Sequence, residues 1–207
     1  MKTLKDIRDA IRDDMDLTPN DPFVSDAKIN SFIKRAYDLI GNLYKWSYTE
    51  QVEYRTADAQ DAGNDYFTMP NYWIDNSITK VAINSTELKP ISWNHWQKQR
   101  GNFSERYRNI HLPFELKEGD TIEVHGHQQA WWVENSAETY TPTDTSESIF
   151  PYNITYAIFL YAKGLTQQYK GGDDFALGQD SKQEALDLVK VAYEQEPHKL
   201  YDGNVLD

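Results

Sequence analysis

Apolar side chains follow two rhythms along this chain, and the change between them is abrupt. From residue 29 to residue 44, Ile29, Phe32, Ile33, Ala36, Tyr37, Ile40, Leu43 and Tyr44 recur at the spacing of one helical face. From Gln51 to Arg55, Val52 and Tyr54 instead alternate with polar residues, the period of a half-buried strand. The helical rhythm also runs through residues 3–15, with Leu4, Ile7, Ile11 and Met15 on one side. Thr3 is placed to cap that helix and Asp6 to favour its first turn. The intervening loop "DLTPNDPFVSD" ends at Ser25, a good cap for the second helix.

Beyond the strand-like segment, turn signals break up a β-rich stretch. "DAGND" separates "VEYRT" from "YFTM", "INSTE" separates "ITKVAI" from "LKPI", and "KEGD" precedes "TIEVH". Short turns of this kind predict antiparallel pairing. Residues 134–148, "ENSAETYTPTDTSES", are polar and predict a linker. Helical periodicity then returns after Pro151, with Ile154, Ala157, Ile158, Tyr161, Ala162, Leu165 and Tyr169 facing inward. "KGGDD" interrupts it, and a last helix is expected from Phe175 to Glu194, with Pro197 just beyond its end.

Four helices split between the two ends of the chain pack most economically together. The expected fold is therefore α+β: a helical bundle from 1–50 and 149–196, an inserted antiparallel β region at 51–133, a linker at 134–148 and an extended tail at 197–207.

Composition removes several classes of function. A net charge of -12 argues against a general binder of nucleic acid or anionic membrane. No cysteine is present, which excludes disulfides, thiolate catalysis and Cys-based zinc sites. The N-terminus is charged throughout, unlike a signal peptide, and no apolar run approaches the length of a membrane span. The expectation is a soluble protein that is intracellular when made.

Candidate chemistry is sparse. His125 and His127 in "VHGHQ" share one side of a strand, but spacing offers no third metal ligand and Gly126 suggests a bulge. "DAQDAGND" resembles a calcium loop only superficially, because Ala62 and Met69 stand where ligands are needed; a hairpin turn is expected. Nucleophile elbow, phosphate loop and dinucleotide fingerprint are all missing from the sequence. The expectation is a non-enzyme with no cofactor and no metal.

One stretch opposes the overall charge. "WNHWQKQRGNFSERYRNIHL", residues 93–112, interleaves Lys98, Arg100, Arg106 and Arg108 with Trp93, Trp96, Phe103 and Tyr107. Such interleaving suits stacking on single-stranded nucleic acid, and it equally suits a protein–protein hot spot. An ordinary solvated basic loop is the plain alternative. The acidic remainder of the chain favours a protein partner, including the acidic surface of an identical neighbour, a head-to-tail contact that can close a ring.

The opening "LKDIRDAIRDDMDLTPNDPFVSDAKINSFIKRAYDLIGNLYKW" resembles the start of tailed-bacteriophage head-to-tail adaptor (connector) proteins. "SESIFPYNITYAIFLYAKGLTQQYKGGDDFALGQDSKQEAL" resembles their closing helix pair. The order of elements is also similar to that of the tail tubular gatekeeper of short-tailed phages. This resemblance implies a virion protein that forms a dodecameric ring between the portal and a tail nozzle or tail tube protein. The helical part would dock on the portal and the β part would face the tail, with DNA only as passing cargo and no membrane. It further implies that the tail "HKLYDGNVLD", including Leu200 and Tyr201, reaches along the portal. The interface expected is thus Trp93, Trp96, Lys98, Arg100, Arg106, Tyr107 and Arg108 together with Leu200 and Tyr201. A non-catalytic module using the basic aromatic hairpin to grip a single strand or a protein is the alternative, and an unsupported hydrolase or metal enzyme stands third.

Overall fold

A computed structural model describes residues 2–18, 21–98 and 101–196. Its helices are α1 (Leu4–Asp14), α2 (Asp26–Leu43), the short α3 (Trp93–Trp96), α4 (Tyr152–Lys170) and α5 (Asp174–Glu194), with a single 3-10 turn at Ser47–Thr49. The strands are β1 (Glu50–Thr56), β2 (Tyr66–Thr68), β3 (Lys80–Ile83), β4 (Thr86–Leu88), β5 (Ser104–Arg106), β6 (Asn109–His111), β7 (Thr121–His127), β8 (Trp132–Glu134), β9 (Ala137–Thr139) and β10 (Glu147–Ser148). Every strand ladder is antiparallel, and the class is α+β. The chain divides into two compact units, each with its own core. One takes in the chain up to Tyr48 and again from Ala130, and the other is Thr49–Gln129.

In the helical unit, α1 begins where its cap dictates. The Thr3 hydroxyl accepts the Asp6 amide (3.1 Å), and the Asp6 carboxylate accepts the amides of Thr3 (3.1 Å) and Lys2 (3.0 Å). These bonds hold the Asp6 carboxyl below its ordinary range. Ser25 caps α2 through the Lys28 amide at 3.3 Å. Ile29, Ile33, Ala36, Tyr37 and Ile40 of the α2 stripe are fully buried, whereas Leu43, the last residue of the helix, is exposed. Helix α2 ends because its chain turns extended at Tyr44 and the buried Trp46 indole donates to the Ile40 carbonyl (2.9 Å). That bond satisfies one of the carbonyls a helix end leaves without an intrahelical partner. Helices α4 and α5 form a hairpin whose backbones touch at Gly164 and Gly178. A Cβ added at either would stand 2.6 or 2.5 Å from the other's carbonyl oxygen. Tyr169, expected inside, is half exposed; its ring meets Phe32 edge-on at 5.7 Å and lies under the Lys28 ammonium.

Residues 134–148 are not a linker. β8, β9 and β10 form a small sheet in the order β10-β8-β9, and buried Trp132 stacks on Tyr37 with centroids 4.2 Å apart. The polar residues that suggested solvation instead bond to one another. The Glu134 carboxylate accepts hydroxyls from Thr143 and Thr145 (both 2.7 Å) and from Ser146, which holds its carboxyl below the usual range. The helical unit consequently begins its second pass at Ala130, earlier than residue 149.

Two arginines one turn apart on α1 tie this unit together, and both are buried. Arg8 donates to both Asp144 oxygens (2.7 and 3.0 Å). Arg12 reaches Asp26 (2.7 Å) and the carbonyls of Thr18 (2.5 Å) and Val24 (3.4 Å). Arg8 holds the Asp144 carboxyl below its ordinary value of 3.8. A depressed carboxylate stabilises the fold fully above its unfolded value, and that contribution is lost as pH falls through the folded value. Stability should thus decline below about pH 4, and Asp144→Asn should flatten that decline while lowering the melting temperature at neutral pH. Thermal melts across the acid range, with and without the substitution, check this.

The β unit contains a four-stranded sheet, β1-β7-β3-β4, and a three-stranded one, β2-β6-β5. The "DAGND" turn does not join a hairpin: β1 pairs along its whole length with the distant β7, from Glu50 opposite His127 to Thr56 opposite Thr121. Turn chemistry reports only local reversals and cannot reveal that partner. The β3–β4 hairpin is as expected, with Asn84 and Ser85 both at positive φ (50° and 66°), as a two-residue primed turn requires. Phe67, Trp73, Val81, Phe103, Ile110 and Val124 are among the buried core residues. The alternation at Val52 and Tyr54 marks a strand, but both residues point outward. The inward positions carry Glu53, which accepts the Trp73 indole (2.8 Å), and Arg55, which pairs with Asp61 and covers the Phe67 ring.

Candidate protein interface

The basic aromatic stretch folds into a stack of rings and cations within the β unit. Ser92 precedes α3, whose single turn places Trp93 and Trp96 three residues apart on one side. Their rings stack with centroids 5.1 Å apart and planes 14° from parallel. His111 of β6 meets both, at 4.7 and 5.3 Å. The β5–β6 hairpin turns at Tyr107 and Arg108, both at positive φ (51° and 66°). The Arg106 guanidinium lies 4.7 Å from the Trp93 ring centroid and 4.9 Å from that of Tyr107. Tyr107 is 83% exposed.

The predicted interface residues separate accordingly. Trp93, Arg106 and Tyr107 come together, with Trp93 half-buried and the other two open to solvent. Trp96 is 4% exposed and belongs to the interior side of the stack, so it offers no face to a partner. The one-turn helix sets both rings on one side, where Trp96 is covered and Trp93 stays half-buried. Arg108 is occupied by the Pro70 carbonyl, and Lys98 is exposed without joining the stack. Arg100, Leu200 and Tyr201 lie outside the described residues. Glu105 points back to the amides of Asn76 (2.6 Å) and Ile78 (3.4 Å), anchoring the hairpin.

This arrangement limits what the stack can bind. A single strand needs a succession of free ring faces on which bases can lie. Trp93 is already against Trp96, Arg106 and His111, which leaves Tyr107 as the prominent open ring of the stack. A rigid aromatic tip beside a charge held in place by stacking suits a protein contact, where little side-chain entropy remains to be lost.

The helical unit carries a second surface that sequence reasoning missed. Tyr152, Tyr156 and Phe159 follow one another along α4, with centroids 6.2 and 5.6 Å apart. They line a groove with Ala10, Asp13 and Asp14 of α1, Lys163 of α4 and Glu184 of α5. Lys163 is paired with Asp14, so the groove keeps an acidic rim. The i, i+4, i+7 spacing of these aromatics was legible, but it lies beside the apolar stripe that dominates α4.

The histidines of β7 do not converge on a metal site. His125 is hydrogen-bonded to Glu123, which lowers the Glu123 carboxyl, while buried His127 meets the Thr49 hydroxyl at 3.2 Å. Among the described residues no three His, Asp or Glu side chains could hold a metal, and no helix is long and apolar enough to cross a membrane. Residues 58–64 form turns in which Asp58 accepts the amides of Gln60 and Asp61.

No family model matches the chain, and no curated protein matches it.

Proposed function

We propose that the chain is a head-to-tail adaptor of a tailed-phage virion, a ring-forming protein that joins portal to tail and leaves a channel for DNA. The observation that carries this reading is the order of its parts. A helical unit built from both ends of the chain is interrupted by a β unit at Thr49–Gln129, the order that the opening and closing sequence segments share with such adaptors. Two surfaces support an assembly role over a catalytic one. The acid-rimmed aromatic groove of the helical unit serves to dock on the portal, and the Trp93–Arg106–Tyr107 stack meets a neighbouring subunit or tail component.

Negative-stain imaging of the protein mixed with a dodecameric portal tests the proposal. A second ring stacked on the portal, formed without nucleotide or metal, is the expected result; separate species well above micromolar concentration would refute it. Within that experiment, Arg106→Glu combined with Tyr107→Ala should leave thermal melting nearly unchanged while removing ring or tail attachment. Anchors of this kind are worth about 2 kcal/mol each, roughly 30-fold in affinity. Salt-sensitive micromolar binding of single-stranded DNA that vanishes in the double variant would instead favour a nucleic-acid module.

A further inference from the structure

Strand β1 is one edge of the four-stranded sheet, and its outer side is open. In an antiparallel ladder, residues alternate between those that turn N–H and C=O toward the partner strand and those that turn both away. The Gln128 amide donates to the Thr49 carbonyl (2.9 Å) and the Ala57 amide to the Asp120 carbonyl (2.8 Å), one bond at each end of the β1–β7 ladder. Odd-numbered residues of β1 therefore face β7, and the backbone groups of Glu50, Val52, Tyr54 and Thr56 face outward. Among the described residues no hydrogen bond reaches those outward groups. Side chains at the same positions stand on the open face of the sheet, Tyr54 at 74% exposure and Val52 at 40%. A seven-residue edge with neither bulge nor proline is a template for another strand.

We infer that β1 pairs, antiparallel, with β1 of a second copy of this chain about a twofold axis at Tyr54. The opposite edge of the same sheet cannot take that role. β4 has three residues, and the Lys89 that follows already gives its amide to the Asn102 side chain (3.0 Å) and its carbonyl to the Phe103 amide (3.2 Å). Copies thus cannot add head to tail through this sheet. The strand is, however, complementary to itself. With Tyr54 opposite its twin, Glu53, which keeps its bond to the Trp73 indole, stands opposite Arg55 of the other copy, which keeps Asp61, so opposite charges face across the pair twice by symmetry, and Val52 stands opposite Thr56. Aromatic, opposite-charge and β-branched neighbours stabilise an antiparallel pair, and like charges directly opposed destabilise it. A register centred on Glu53 would pair all seven residues but set that carboxylate against itself. The Tyr54 register also matches outward-facing backbone groups with outward-facing ones. This isologous contact is distinct from the heterologous contacts of a ring and rests on the sheet alone.

The absence of cysteine makes the test direct. In the inferred register the two Tyr54 Cα atoms are about 5.5 Å apart, within disulfide range, while the two Val52 Cα atoms are about 14 Å apart. Under mild oxidation, Tyr54→Cys should form a covalent dimer and Val52→Cys should not. Sedimentation velocity should give a dimer for the unmodified chain at micromolar concentration. Tyr54→Lys, at an exposed position, should keep the thermal melt and weaken the dimer about tenfold or more. A monomeric mass for the unmodified chain, an undiminished dimer in Tyr54→Lys, or equal cross-linking of Val52→Cys would each overturn the inference. A monomer that still decorates portals sinks this contact alone, and an unmodified chain that dimerises yet shows no affinity for portals even when diluted to monomer sinks the adaptor reading alone.

Discussion

Ile40→Asp should abolish the folded helical unit, and Ile33→Asp should do the same. Both side chains are fully buried in the stripe of α2, among the residues that pack with α1, α4 and α5 into one core. An aspartate there has no cation within the apolar stripe to pair with, and burying an unpaired charge costs several kcal/mol. That is comparable to the whole stability of a domain this size. Protonating the carboxyl to avoid the charge still leaves an unsatisfied polar group and a void where the isoleucine was. The measurement is soluble yield together with circular dichroism, and loss of cooperative helical melting is the expected outcome. An unchanged melt would mean that the stripe lies on the surface of the isolated chain.

The second large effect comes from adding a single carbon. Helix propensity alone predicts that Gly164→Ala stabilises α4 by about 1 kcal/mol, since glycine is a poor helix former. Packing predicts the opposite. The new Cβ would stand 2.6 Å from the Gly178 carbonyl oxygen and 2.7 Å from Lys182 Cγ; the lysine chain can swing away, but the carbonyl is helix backbone. Helices α4 and α5 would have to part along their contact, and overpacking of this kind costs about 1–3 kcal/mol or more. The packing term wins, so Gly164→Ala should lower stability by about 2 kcal/mol and Gly164→Leu should prevent folding. Gly101→Ala is the control, because nothing lies within 4 Å of a Cβ there. Denaturant titrations of the three variants separate the two terms.

Local signals in the sequence are the ones that the structure follows closely. Caps at Thr3 and Ser25, the α2 stripe, the Gly171–Gly172 break and the Asn84–Ser85 turn all act within a few residues, and all can be read from spacing. What escaped the sequence depends on partners far along the chain. The pairing of β1 with β7, the Arg8–Asp144 bridge and the hydroxyl cage around Glu134 join residues whose spacing follows no period. Nothing in the sequence marks Arg8 and Arg12 as buried, because a buried arginine is recognisable only when its carboxylate is known. At the candidate interface, composition alone grouped Trp93, Arg106 and Tyr107, which the structure brings into one stack. It also included Trp96, because a hydrophobic ring in a basic stretch does not reveal which side of a one-turn helix faces the core.

The bond between the Thr49 carbonyl and the Gln128 amide bears on how this chain can evolve. It draws the first and next-to-last residues of the β unit together, so the insertion begins and ends in a closed stem. Lengthening a loop whose ends are already joined costs little additional entropy, since the cost grows only with the logarithm of its length. Residues between the two strands of the stem can therefore be lost, gained or exchanged while the register at Thr49 and Gln128 is kept. The stem thus makes the β unit an exchangeable cassette in physical terms, one whose replacement leaves the core of the helical unit intact.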